Sequence, residues 1–394
     1  MNRVCSIFSQ VLKQFSRGEF ERAVKEQKAE RHARGFTSWG QFMAMLFCQL
    51  GRAHSLREIC GGLACCEGHL KHLGVPVAPK KSTLAYANEH RPWQLYQNVF
   101  EQTLEKCRQL VGRQGGRKKF RFKNKLMSLD GSIIDLSASM FDWAKYRRTK
   151  GAIKLHLLLD HDGYLPSFAV VTEGRVSELK VARGLRLDAG TILAIDRGYI
   201  DYEWFRELTQ QEVYFVTRLK EKAVYEVKHE LQIPQNSPVV SDQIICFPRL
   251  AREDEEPVLF RRVEIRDPEK QESIVFLSNL LQFGATTIAA IYKERWQVEL
   301  FFKALKQTLK IKTFVGTSAN AVRTQVWTAL IAMLILKYLQ LKAKFSWSLS
   351  NLAALLRQQL FFYRDLDQWL DDPFQAPPAL AGVHDDAQQL AITW

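Results

Sequence analysis

Three carboxylates occupy positions where a charge needs a reason. Asp130, in Leu-Asp-Gly-Ser, closes the apolar run that starts at Leu126, and Asp196, in Ile-Asp-Arg-Gly-Tyr, closes the run Ile192 to Ile195. A carboxylate at the end of a buried strand is costly unless it binds something. The third, Glu299, falls on a stretch from about Thr287 to Leu309 that reads as one long helix. At about 100° per residue, Tyr292, Arg295, Glu299 and Lys306 share an arc of roughly 60°, with Ile291, Val298, Leu305 and Leu309 as a neighbouring apolar stripe. A solvent-facing helix would also show such a polar row, and Arg295 and Glu299 form a favourable i,i+4 pair. The company of the two aspartates favours a site.

The formal charge is +14 over a chain of normal apolar content and 11% aromatic residues, so the excess is laid on a folded protein. Its location matters more than its size. Arg113, Arg117, Lys118, Lys119, Arg121, Lys123 and Lys125 follow one another without an acid, and Lys145, Arg147, Arg148, Lys150 and Lys154 come soon after. That is a phosphate-binding footprint beside the first aspartate, and it points to a polyanionic partner. Seven cysteines, an odd number with no secretory leader, lead to the expectation of a reducing interior and a cytoplasmic protein. The most apolar stretch, Val326 to Leu336, falls well short of the ~20 residues that span a bilayer, so a buried helix and no membrane role are expected.

The elements that must position these residues divide the chain. Residues 1–112 read as helical, with Phe42, Met45, Leu46 and Leu50 at helical spacing, a short helix from Ser55 to Leu63, and another capped by Ser82 and stopped before Pro92. Two short helices with basic flanks suggest a DNA-binding head. From Lys125 the period changes: strands are expected at Leu126–Asp130, Ile153–Leu159, Leu165–Val171, Ile192–Ile195 and Val213–Val216, with helices from Ser177 to about Arg186 and from Tyr202 to Leu208. A right-handed crossover then sets the first and fourth strands side by side and parallel, so that their carboxylates meet. Residues 113–218 form the first part of an α/β core, 219–275 a β-rich insertion around an acidic Glu253–Glu256 loop, 276–316 the second part of the core with the Glu299 helix, and 317–394 a helical C-terminal region ending in an acidic tail.

The spacing Tyr292-x-x-Arg295-x-x-x-Glu299, with Lys306 seven residues on, resembles the Y-R-E-K motif of the insertion sequence four transposase family, and both aspartate contexts are similar to that family's. The resemblance covers about Lys125 to Phe314, and the segments Phe8 to Arg34 and Ser82-Thr83-Leu84-Ala85 resemble the family's helical N-terminal domain. It implies an RNase H-like mixed sheet of the α/β (α+β) class with a β insertion between the second Asp and the Glu. It implies further that Asp130, Asp196 and Glu299 are catalytic and hold two Mg²⁺ ions, with Mn²⁺ as a substitute, since hard cations prefer carboxylate and phosphate oxygens. One ion activates the nucleophile and the other stabilises the leaving oxygen.

The reaction so implied is cut-and-paste transposition. Water frees a 3′-hydroxyl at the transposon end, that hydroxyl attacks the opposite strand to give a hairpin, and strand transfer into target DNA follows. The partners are double-stranded DNA, as terminal inverted repeats and as target, and a second copy of the chain in a synaptic complex. Tyr292, Arg295 and Lys306 match family positions that grip the phosphate near a flipped base, Trp296 is placed to stack on the distorted end, and Lys303, Lys118, Lys119, Arg147 and Arg148 are expected DNA contacts. The insertion contains no Trp, so a stacking platform from it falls to Phe247, Tyr225 or Phe260. A structure-specific nuclease of the same fold and an inactive DNA-binding descendant are the alternatives.

Weaker signals have bland readings. Cys60, Cys65, Cys66, His69 and His72 crowd one stretch but lack a CxxC pair, which favours free thiols and surface histidines over zinc. Asp142 is a minor competitor for catalytic status; Asp160 and Asp162 flank a hairpin turn, where Asp is expected for backbone reasons. Asp135, five residues beyond Asp130, falls on the opposite face of a regular strand.

Overall fold

A computed structural model describes residues 5–374 apart from 32, 34, 67–69, 115–118, 137–142, 144, 148–149, 234, 254, 267–271 and 310–313. Lys118, Arg148, Asp142, His69 and the acidic tail from 375 onward lie outside the described residues.

Six helices open the chain: α1 (Ile7–Leu12), α2 (Arg17–Glu26), α3 (Ser38–Leu50), α4 (Leu56–Ala64), α5 (Lys81–His90) and α6 (Gln94–Gln114). Ser6, Ser16, Thr37 and Ser55 cap the first four, each side chain accepting a hydrogen bond from an amide of the first turn. The fifth starts two residues earlier than a Ser82 cap predicts, with Lys80 at the cap and no side-chain bond there, and it ends before Arg91, which is extended as a residue before proline should be.

A ten-stranded sheet follows. In chain order its parts are β1 (Leu126–Leu136), β2 (Lys145–Arg147), β3 (Lys150–Asp160), β4 (Leu165–Glu173), α7 (Glu178–Arg183), β5 (Ile192–Ile195), α8 (Tyr202–Gln210), β6 (Tyr214–Arg218), β7 (Glu226–Glu230), β8 (Val239–Cys246), β9 (Leu259–Arg266) and β10 (Ser273–Ser278). The expected parallel meeting of the first and fourth core strands holds: β1 pairs with β5 in parallel and with β3 in antiparallel register, β4 pairs with β3, and β6 pairs in parallel with β5. The order β4-β3-β1-β5-β6 is that of an RNase H-like core.

The structure corrects two expectations, the end of the first strand and the continuity of the long helix. β1 does not stop at Asp130 but runs on to Leu136, because β3 remains paired with it as far as Leu136↔Gly151. The strands of the β-rich insertion extend the core sheet: β10 pairs antiparallel with β6, and β9, β8 and β7 continue the same sheet outward. The long helix is two helices, α9 (Ala285–Glu294) and α10 (Trp296–Thr308), meeting at Arg295. There the amide bonds are of the tighter i→i−3 kind, Arg295 N–H to Tyr292 O and Val298 N–H to Arg295 O.

The chain closes with α11 (Ala319–Lys342), α12 (Leu349–Gln359) and α13 (Leu366–Asp371). By length and composition α11 would suffice to cross a membrane, but 83% of its most apolar window is buried within the fold. It packs on α6 and α3, and one hydrophobic core runs from Ile7 through these helices to Leu370. The first helix is also joined through the backbone to the link between α12 and α13, Ile7 N–H to Phe362 O and Phe8 N–H to Leu360 O. N-terminal and C-terminal helices therefore form one layer, and α10 rests between it and the sheet.

Candidate active site

Strand register brings the two aspartates together. The parallel pairing of β1 with β5 runs Leu126↔Ile192, Met127↔Leu193, Ser128↔Ala194 and Leu129↔Ile195. Asp130 and Asp196 are the next residues on each strand. Asp196 keeps extended backbone angles, φ −72 and ψ 159, so the alternation continues through it. Ile192 and Ala194 share a core with Ile288 and Ile291 of α9, whereas Leu193 and Ile195 pack with Phe205 and Leu208 of α8. Both aspartates thus lie on the α9 face of the sheet, at neighbouring positions across one strand spacing.

Glu299 and Asp130 line one cleft of about 440 Å³ with Ser132, Phe302, Lys303, Lys306 and Gln307. Lys306 donates to Ser132 Oγ at 2.6 Å and to the Ile133 carbonyl at 3.1 Å, which fastens α10 to the stretch of β1 just past Asp130. Arg295, at the break between the two helices, donates to Glu299 Oε1. Its Nε and Nη1 are buried without a hydrogen-bond partner. The apolar stripe Ile291, Val298, Leu305 and Leu309 is fully buried.

Burial pushes the Asp130 carboxyl up to about 6, against a lowering by the Gly131 amide and Arg295 and with a further rise from Glu299 and Glu178. Arg295 moves up: burial alone would lower it, and the bond to Glu299 and the charge on the Tyr292 and carboxylate side more than offset that. Burial also raises the Tyr292 hydroxyl, with Arg295 opposing and Asp196 adding to the rise.

Asp130 accepts from the Gly131 amide at 2.8 Å, and Asp196 from the Gly198 amide at 3.3 Å. The remaining carboxylate oxygens are hard donors suited to a divalent cation. Among the described residues no three acidic, His or Cys side chains already form a closed ligand set, since Glu299 is turned to Arg295.

Other residues singled out by sequence are placed as follows. Trp296 is 55% exposed beside Arg295, and Lys303 is exposed on α10. Lys119 reaches Glu294 Oε1 at 2.5 Å. Arg147 belongs to β2, paired with Lys150. Phe247 and Phe260 are buried in the core under α8, so neither offers a stacking face; Tyr225 is half-buried with the Arg262 guanidinium 5.7 Å from its ring, on the edge strand's approach. Asp135 is exposed on the face opposite Asp130. Asp160 is buried and paired with Lys125 at 3.0 Å. The described cysteines are all free, and the candidate cluster of Cys60, Cys65 and Cys66 includes His69, which lies outside the described residues.

Sequence reasoning missed two acids. Glu294, nearly buried, gathers Lys119, the Tyr164 hydroxyl at 3.4 Å and His161, and His161 in turn meets Ser128 Oγ at 2.7 Å two residues before Asp130. Burial lowers His161 to about 4, so it is neutral and works as a hydrogen-bonding group. Glu178, at the start of α7, lies against the backbone that follows both aspartates. An acid in a first helical turn carries no signal of its own, being expected there for the helix dipole.

Known proteins resemble this chain over much of its length. The transposase DDE domain matches residues 122–335, and a domain of unknown function (DUF4372) matches residues 4–76. The Sinorhizobium fredii protein y4zB, which bears a transposase name, is 28% identical over 316 residues, 78% of this chain and 85% of its own. The transposase named for insertion sequence element IS5377 of Geobacillus stearothermophilus is 28% identical over 279 residues, 70% of this chain and 72% of its own. A solved piggyBac transposase synaptic complex with hairpin DNA aligns over 96% of this chain and 85% of that one, with a TM-score of 0.43 and 10% identity. With more than half of its length matched by the transposase domain, the chain belongs to the DDE transposase family.

Proposed function

We propose that Asp130, Asp196 and Glu299 are the catalytic carboxylates of this transposase, and that it cuts at terminal inverted repeats and joins the freed ends to target DNA. The register that makes Asp130 and Asp196 neighbours on the face beneath α9 and α10 carries this reading. Two Mg²⁺ ions held by the three carboxylates would supply the Lewis acidity that activates an attacking oxygen and stabilises a leaving one. Everything else falls to the protein.

Arg295 holds Glu299 now, and its two unpaired buried N–H donors face a need for acceptor oxygens that a DNA phosphate would meet. When phosphate takes Arg295, Glu299 is released toward the aspartates. Lys306 and Lys303 border the cleft and set a positive wall along the strand being cut. Trp296, the exposed ring next to Arg295, is the stacking surface for a base displaced from a hairpin end, a role that burial denies to Phe247 and Phe260. On the head, α5 presents Lys80, Lys81, Ser82, and Tyr86 stacked on His90 at 4.0 Å, a basic and aromatic surface for the repeat. Two copies of the chain would hold two transposon ends, acting on DNA in the cytoplasm.

The test is a duplex carrying the element's own terminal repeat, incubated with the protein, Mg²⁺ and a target plasmid. Nicks, hairpin ends and joined products in sequence support the reading. Cutting without joining favours a nuclease, and open ends without hairpins remove the hairpin step alone.

A further inference from the structure

A fourth acid belongs to the site, approaching from behind the sheet. Glu178 opens α7, on the face opposite Asp130, and its side chain fills the space left by two glycines. A Cβ on Gly131 would come within 3.1 Å of Glu178 Oε1 and 3.2 Å of its Cγ; a Cβ on Gly198 would stand 3.8 Å from Oε2. Gly131 follows Asp130 directly in β1 and Gly198 is the residue whose amide Asp196 accepts, so one carboxylate lies beside the backbone just after each aspartate. Lys154 of β3, itself buried, pairs with Glu178 Oε1 at 3.3 Å and is fixed by donating to the Val176 carbonyl at 3.2 Å.

This arrangement is unfavourable as plain architecture, because Glu178 adds negative charge behind two carboxylates that already repel one another. Among the described residues, Lys154 is the cation paired with Glu178. A first-turn acid needs no glycine cradle, and at a purely structural position alanine at 131 would pack better than a gap reserved for a carboxylate. Like charge behind the pair becomes useful when cations arrive on the other face.

We propose that Glu178 is a positioning residue for the Asp130–Asp196 pair: it braces the backbone just after each aspartate and adds its charge to the field that draws divalent cations, with Lys154 as the counter-charge that tempers that field. The proposal rests on the reading of Asp130 and Asp196 as cation ligands. It needs no direct contact between Glu178 and the ion.

Titration of the full-length protein with Mn²⁺, following the free ion by electron paramagnetic resonance at low salt, separates the possibilities without any cleavage assay. Glu178→Gln is expected to weaken Mn²⁺ binding about fivefold, the order expected for one unit charge acting across a single strand in a water-rich cleft. Lys154→Met removes the counter-charge and is expected to tighten binding by a similar factor. A merely structural Glu178–Lys154 pair would be broken by either change, and both variants would then shift the same way. That result, or wild-type binding by Glu178→Gln, overturns the proposal. Should Glu178→Gln melt well below wild type in EDTA, Glu178→Asp carries the comparison: it keeps the charge and should bind within about twofold of wild type, and a loss as large as that of the Gln variant overturns the bracing charge. Asp130→Asn is the control for the parent reading; if it binds Mn²⁺ as wild type does, the ligand assignment fails and the Glu178 proposal falls with it.

Discussion

Asp130 should cost the metal-free protein stability, and its replacement by Asn should show how much. The carboxyl sits at about 6 in the folded chain against an ordinary 3.8, chiefly through burial. A raised folded value means that the folded chain binds the proton more tightly than the unfolded one, so stability falls as pH climbs from about 4 through about 6 and stays reduced above that. The difference is about 2 pH units, and at about 1.4 kcal/mol per unit the upper bound is about 3 kcal/mol. The carboxyl borders an open cleft, which brings the figure to about 2 kcal/mol. Asparagine keeps the shape and the acceptor for the Gly131 amide but never ionises. Urea unfolding in EDTA across pH 4.5 to 8 should therefore find Asp130→Asn more stable than wild type by about 2 kcal/mol at pH 8, with the gain shrinking below pH 6. A variant no more stable at pH 8, or equally stabilised at every pH, refutes the account of Asp130 as a strained carboxylate awaiting a cation.

Three other perturbations follow from the same geometry. Lys306→Met removes the donors to Ser132 and Ile133 and one cation from the cleft; fluorescence anisotropy should show duplex binding weakened across sequences, with the slope of log affinity against log salt reduced by about 1. Asp242→Ala strands the buried Arg261, which Asp242 grips through both oxygens while Arg261 also holds the Leu281 and Phe283 carbonyls just ahead of α9; denaturation should show a loss of about 3–5 kcal/mol. Trp296→Ala should leave stability within about 0.5 kcal/mol of wild type, since the ring is exposed, yet weaken binding to a duplex end with an unpaired base by about 1–3 kcal/mol while fully paired duplex is bound as before.

Much of this site is legible in the amino-acid order, for reasons that differ between residues. Ile192 to Ile195 is a four-residue run buried on both faces, and such a run, bounded by polar residues, signals an interior strand whose end is marked by the first charge, Asp196. The right-handed crossover does the rest for the aspartate pair. Asp130 reads as a strand end because Asp-Gly is a turn signal, yet the pairing partner that carries β1 on to Leu136 lies in β3, and no local rule reports a partner. The break at Arg295 has no Gly or Pro to announce it, and the apolar stripe stays buried on both sides of it. The insertion's alternation is visible in Val239 to Cys246 and Leu259 to Arg266, but its continuity with the core depends on β10 meeting β6, a long-range pairing. Glu178 stayed hidden because an acid in a first helical turn has an ordinary explanation, and Glu294 because it reads as one more charge within a single long helix; only the fold shows which backbone or which cations each faces.

The trio itself is tested most directly by the rate of first-strand cleavage on the terminal-repeat duplex with Mg²⁺, comparing wild type with Asp130→Asn, Asp196→Asn and Glu299→Gln, all checked to bind that duplex. Each variant is predicted to bind DNA and to cut at least about a thousandfold more slowly, the order of effect seen when a principal electrostatic group is lost from an active site. Cleavage at the wild-type rate by any one of the three would contradict its place in the catalytic set.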